Sequence, residues 1–332
     1  MLGRIDPTVR EEAPASPQVI CDLHRDLMRQ KRRTFLIASP LLLLAGLAVF
    51  AGMSEPPGAF GQRLNLVFFG VVLGSAVAQV GWEWISLRRA DPLALYEREQ
   101  AEAERHRANQ FDHQLRSAAV RPVLTLGLLS TIVVVTVIQF ATTPLPTALA
   151  IAGLVKPATR GGEWWRLLSA TYLHGNLLHL AANATALLAL GRLIETYDRP
   201  LRVSVIYLAA AVGGGLLSTL LSDTPSIGAS GGILGLAGYL VVVAGRQPGG
   251  TPPWIRKEMM SVLALTAVMG IAAYVFIDNA AHLGGALTGA AMGAVAVSWD
   301  RRVSRQANER AGLIAAAVLF GAALFTMTRL VV

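Results

Sequence analysis

Long apolar runs separated by short polar breaks fill most of the chain. Nine stand out: about Thr34–Gly52, Leu64–Leu87, Pro122–Ala141, Tyr172–Leu190, Val203–Leu221, Gly231–Ala244, Met259–Ile277, Ala281–Trp299 and Ala311–Met327. Most approach the roughly 20 residues that an α-helix needs to cross a bilayer. The pattern predicts an all-α polytopic membrane protein, because helices satisfy their own backbone groups in lipid. Trp82 and Trp84 close the second run, where aromatic side chains favour the membrane interface. The run from Gly231 has only fourteen residues. It is too short to cross from surface to surface, so it is expected to start below the surface, at the bottom of a loop or cavity.

The polar breaks have distinct characters. Residues 1–33 form a polar tail ending in Arg29, Lys31, Arg32 and Arg33, with no leading apolar run to suggest a cleavable signal peptide. Ser54–Gly58 reads as a turn between the two runs of an N-terminal hairpin, 34–87. Residues 88–120 are charged and Ala-rich, and predict a solvated cytoplasmic linker helix. Residues 142–171 form a longer, less hydrophobic loop with Pro144, Pro146, Gly161 and Gly162, running into Glu163-Trp164-Trp165-Arg166. The chain ends, from 299 to 332, in a basic loop with Arg301, Arg302, Arg305 and Arg310 and a last apolar run. No internal repeat is visible.

Composition agrees with a membrane protein: 53% of the 332 residues are hydrophobic and 15% are charged. The net charge of +8 is explained by topology. With a cytoplasmic N-terminus, 24 of the 29 basic residues fall on the inner side, as the positive-inside rule requires. Nucleic acid is therefore not an expected partner, and the C-terminus is expected outside. Arginine far outnumbers lysine, which points to a GC-rich bacterial genome and so to a bacterial inner membrane. Cys21 is the lone cysteine, which excludes an internal disulfide and any multi-cysteine metal site.

Candidate chemistry sits in the apolar runs. His174, His179 and His282 lie there, whereas His24, His106 and His113 lie in polar segments. Ionisable residues inside a membrane are costly and point to function. Ser230, in Gly228-Ala229-Ser230-Gly231, opens the short run. A helix N-terminus favours negative charge and suits a nucleophile whose reaction builds an oxyanion. The alternative for this serine is a simple N-cap. His282, Gly285 and Gly289 share one helix face, as do Gly231, Gly235 and Gly238. Two glycine-faced helices can approach closely enough to bring Ser230 and His282 within hydrogen-bond reach; packing alone is the other reading. His179 and Asn183 are also one turn apart on one face. They are placed either to donate to an oxyanion or to join helices. Asp278, one turn before His282, raises the question of a triad. His174-x4-His179 is not HExxH, which disfavours a zinc site.

These residues resemble the rhomboid intramembrane serine proteases. Gly228-Ala229-Ser230-Gly231 is similar to their GxSG, and His282 with Gly285 and Gly289 to their catalytic histidine helix. His174, His179 and Asn183 resemble their second core helix, Trp165-Arg166 their first extramembrane loop, and Glu195 a structural glutamate. The resemblance covers about residues 121–298 and implies a six-helix core with two extra N-terminal helices and one extra C-terminal helix. It implies a Ser230–His282 dyad, an oxyanion hole from His179, Asn183 and Ser230, transmembrane substrates and no cofactor. Leu234 departs from the pattern, since many members carry an aromatic residue there. A non-catalytic rhomboid-like binder of transmembrane clients is the main alternative. A transporter with a polar midplane site is a further one, though no inverted repeat supports it.

Overall fold

The computed structural model describes residues 17–41, 120–244, 251–273, 277–299 and 304–331, with isolated positions between 44 and 101. About half of the first two apolar runs, the turn at Ser54–Gly58, most of 88–120 with His106 and His113, and Arg301 and Arg302 lie outside the described residues. The chain divides into two compact units, one of residues 1–50 and 69–110, the other of 51–68 and 111–332.

In the first unit, helix α1 spans Pro17–Ala38. It joins the expected polar tail and the start of the first apolar run in one element. Its polar part carries i,i+3 pairs, Arg25 with Asp22 and Arg29 with Asp26. Toward its apolar end, Lys31 pairs with Glu83 at 2.6 Å and Phe35 stacks on Trp84 at 5.7 Å.

The second unit holds seven further long helices among the described residues. They are α2 Val123–Thr142, α3 Leu177–Tyr197, α4 Arg202–Leu221, α5 Ser230–Val243, α6 Pro253–Ala272, α7 Asn279–Trp299 and α8 Arg305–Val331. Segments 123–142, 177–197, 202–221 and 306–331 are long and apolar enough to cross a membrane. The protein is an all-α polytopic membrane protein. Between α2 and α3 the loop folds into short helices at Leu145–Ala152, Lys156–Arg160 and Arg166–Ser169.

Local chemistry explains where helices start and stop. The run expected at Tyr172–Leu190 becomes a helix five residues later, because Asn176 caps it by accepting from the His179 amide at 2.8 Å. It then continues past Leu190 through Glu195. That carboxylate is buried but takes the Thr125 amide at 2.7 Å, so it costs little inside the protein. Likewise α6 starts earlier than expected, with Pro253 at its first position, where a missing N–H is harmless.

The tightest packing is between α5 and α7, with α4 against both. A methyl group on Gly285 would meet the Gly231 carbonyl oxygen, and one on Gly289 the Gly235 carbonyl oxygen. The other way round, a methyl on Gly238 would meet the Ala286 oxygen. The two backbones are therefore in contact along a glycine seam. The added C-terminal helix α8 packs on α2 and α4 and on the loop helices. Its carbonyls accept from Tyr172 Oη (Leu319, 2.6 Å) and Thr143 Oγ1 (Leu330, 3.0 Å).

Gly289→Val should destabilise by about 1–3 kcal/mol or more, the usual cost of overpacking. Gly127, with open space around it, is the control, and Gly127→Ala should cost nothing. Unfolding midpoints in a denaturing-detergent titration check this. Equal midpoints for the two variants would contradict a backbone-contact seam.

Candidate active site

Ser230 is the first residue of α5. The N-cap position is Ala229, one residue earlier, so the N-cap reading does not describe Ser230. Instead Ser230 Oγ lies 2.7 Å from His282 Nε2. The two residues are brought together from 52 positions apart by the glycine seam directly below them. His282 sits in the first turn of α7, which Asp278 caps by accepting from the Ala281 amide at 2.9 Å. His282 Nδ1 is buried and has no protein partner among the described residues. The Asp278 carboxylate is turned away from it, toward Lys156, Ser218 and the Ala281 amide. The arrangement is thus a serine–histidine pair, without a carboxylate on the far ring nitrogen. Leu234, one turn along α5, is buried.

Side chains of α3 lie beside the turn that leads to the serine. Gly228 has φ +127°, a conformation that favours glycine. A Cβ there would lie 2.8 Å from His179 Cε1 and 2.9 Å from Nε2. It would also lie 3.8 Å from Asn183 Nδ2. The turn two residues before the serine is therefore seated against both side chains, and the Gly228 amide fixes it by donating to Ala170 O at 2.9 Å. Asn183 is buried and its Nδ2 has no protein acceptor among the described residues. A buried donor left without a protein partner can bind a ligand oxygen.

His174 does a different job. It is fully buried just before α3, and its ring packs edge-on against His179 at 4.9 Å. Its Nδ1 bonds Thr136 Oγ1 at 2.9 Å. Its backbone is gripped on both sides by the Gln139 amide, which donates to His174 O and accepts from His174 N. His174 therefore buttresses His179.

The remaining resembling residues are structural supports away from the pair. Arg166 donates to Gly153 O at 2.8 Å and Ala150 O at 3.0 Å and pairs with Glu163. It lies over the Trp165 ring, which also meets Phe325 and Arg329 of α8. Glu195 joins α3 to the start of α2. The sequence reading missed Thr136, Gln139, Asn176 and Lys156. The first two are polar residues in an apolar run, and Asn176 sits three residues before His179 as a cap would. Those signals were present. Nothing local marks Lys156.

Residues 161–299 match the rhomboid domain family model. The chain carries a region similar to a rhomboid domain. It is 38% identical over 128 residues to the rhomboid protease GluP of Bacillus subtilis (strain 168), covering 39% of this chain and 25% of that protein. It is 32% identical over 184 residues to the rhomboid protease AarA of Providencia stuartii, covering 48% and 64%. It is also 31% identical over 137 residues to the inactive RHOMBOID-like protein 8 of Arabidopsis thaliana, covering 39% and 37%. The chain thus spans less than two thirds of the length of each of these relatives. The matched domain contains Ser230, His282, His179, Asn183 and His174. It begins after Lys156 and ends before α8.

Gly228→Ala should destabilise by about 1–3 kcal/mol from backbone strain, and should displace His179. The same detergent titration, together with the NMR signals of the His179 ring, checks this. An unshifted ring and unchanged midpoint would contradict the tight seat.

Proposed function

We propose that the protein is an intramembrane serine endopeptidase that cleaves transmembrane or juxtamembrane segments of membrane proteins. The observation that carries the reading is the 2.7 Å contact between Ser230 Oγ and His282 Nε2, within the range of an effective proton transfer.

The chemistry follows from the atoms. For Nε2 to accept, the neutral His282 ring carries its proton on Nδ1. Ser230 Oγ attacks a peptide carbonyl carbon while its proton passes to His282 Nε2. The carbonyl oxygen becomes an oxyanion. The Ser230 amide at the start of α5, Asn183 Nδ2 and the His179 ring stabilise it, helped by the positive end of the helix. The C–N bond then breaks, and His282 Nε2 gives its proton to the leaving amine. Water adds to the acyl-enzyme, passing a proton to Nε2, and that proton returns to Ser230 Oγ as the acyl C–O bond breaks. Water needs a route to the site. This agrees with a short helix beginning beneath a structured loop on the expected outer side. In this reading the protein sits in a bacterial inner membrane, with residues 1–33 and 246–258 cytoplasmic and the 142–171 loop and C-terminus outside.

A second reading is a non-catalytic rhomboid-like protein that binds transmembrane clients. The inactive relative favours keeping it in view. The two readings part on the dyad.

Purified protein in proteoliposomes should cleave a single-pass substrate. Ser230→Ala and His282→Ala should each lower the rate by at least a thousandfold, since residues that act as a unit fail together, while each variant stays folded. Full cleavage by either variant would remove these residues from the mechanism. No cleavage by the unaltered chain on a panel of substrates would favour the binder.

Reporter fusions test the topology, which rests on the 24-to-5 split of basic residues. They should report the 142–171 loop and residue 332 outside. A cytoplasmic signal at residue 332 would contradict the orientation of α8.

A further inference from the structure

Lys156 is the most deeply buried cation in the described residues, with no side-chain exposure. A lysine is almost never so placed unless paired. Here its three ammonium protons all have acceptors: Thr224 O, Ser226 Oγ at 2.7 Å and Asp278 Oδ2 at 3.2 Å. The acceptors belong to two different segments. Thr224 and Ser226 lie in the loop that leads into Ser230. Asp278 lies at the start of the helix that carries His282.

The contacts continue from each end of this bridge toward the reacting pair. Asp278 divides its oxygens: Oδ2 receives Lys156 and Ser218, while Oδ1 caps the first turn of α7 through the Ala281 amide at 2.9 Å. The next amide, that of His282, donates to Asp278 O at 3.1 Å. On the other side, Ser226 exchanges both backbone hydrogen bonds with Leu154, at 2.9 and 3.2 Å, and Gly228 is bound to Ala170 O. The serine loop is thereby held to the outer loop on which Lys156 stands. Burial pulls the Lys156 pKa below its ordinary value, and Asp278 opposes that pull. Burial pushes the Asp278 carboxyl up, but Lys156 and the Ser218, Ser226 and Ala281 hydrogen bonds outweigh it, leaving it below the usual range and ionised.

We propose that Lys156 and Asp278 are positioning residues, a buried strut that holds the Ser230 loop and the first turn of the His282 helix in register across 122 positions of sequence. The role in catalysis rests on the protease reading above; the strut itself does not. Lys156 lies outside the matched rhomboid domain, so the domain's pair is completed by a residue of the preceding loop. The glycine seam fixes how closely α5 and α7 approach. It leaves free the rotation and fraying of their first turns, where Ser230 and His282 stand, and the strut removes that freedom.

The test uses the full chain with Lys156→Met, Asp278→Asn and the double variant. The double variant leaves no unpaired buried charge and so protects against simple misfolding. Hydrogen–deuterium exchange is followed in peptides covering 224–230 and 278–284. Cleavage is followed as kcat and KM per site labelled by a fluorophosphonate. Either single variant should speed exchange at least tenfold in both peptides, although Lys156→Met lies in neither of them and Asp278→Asn in only one. Each variant, the double included, should lower kcat at least tenfold per labelled site and leave KM within about twofold. A merely structural pair would lower the folded fraction without changing kcat per labelled site. Exchange that changes in only one of the two peptides or in neither, or an unchanged kcat per labelled site, would overturn the proposal. If the unaltered chain takes no label and cleaves nothing, the protease reading fails, and the paired exchange response alone decides the strut.

Discussion

Between α5 and α7 two backbones touch. Any side chain at Gly285 or Gly289 would run into a carbonyl oxygen of the facing helix, at Gly231 and Gly235. In a bilayer, helices gain little from hiding apolar surface from each other, so close packing has to supply much of the attraction. Small residues permit that packing. The same contact delivers Ser230 and His282 to each other at the end of the seam where both helices begin. The site depends on the seam because neither residue could reach the other across helices spaced by ordinary side chains, which stand about 8–10 Å apart.

Polar groups in the rest of the fold divide into two kinds. Some are closed pairs that hold elements together: Glu195 with Thr125, Gln139 with the His174 backbone, and Lys156 with Asp278 and the serine loop. Others are buried with an atom left over, among them Asn183 Nδ2 and His282 Nδ1. An unmet donor inside a protein costs on the order of 1–3 kcal/mol. Such a cost is tolerated where a ligand or water supplies the missing partner, and these atoms belong to side chains beside the serine and its turn. His174 connects the two kinds, since its backbone and Nδ1 are tied down while its ring supports His179.

Much of this was legible in the sequence, and the reasons are physical. Hydropathy marks helices because lipid forbids unpaired backbone, so the all-α class and the short serine helix follow directly. The glycine spacing at 285 and 289 encodes the seam, and GxSG encodes the serine's place at a helix start. Helix ends were less legible. The start of α3 depends on the Asn176 cap, and its far end on Glu195 finding Thr125, a partner 70 residues away. Lys156 was counted only as one of a few outer cations. Its burial depends on Thr224, Ser226 and Asp278 converging from segments that no local pattern links. The triad question raised by Asp278 likewise needed coordinates, because spacing alone cannot say which way a carboxylate turns.

The central claim is that the seam and its supports make Ser230 a nucleophile activated by His282. Its most direct measurement is mass-spectrometric mapping of the adduct formed when the membrane-embedded protein meets a fluorophosphonate. The account predicts one modified residue, Ser230, with modification lost in His282→Ala even though the serine remains. Modification of another serine, or undiminished modification of Ser230 without His282, would contradict it.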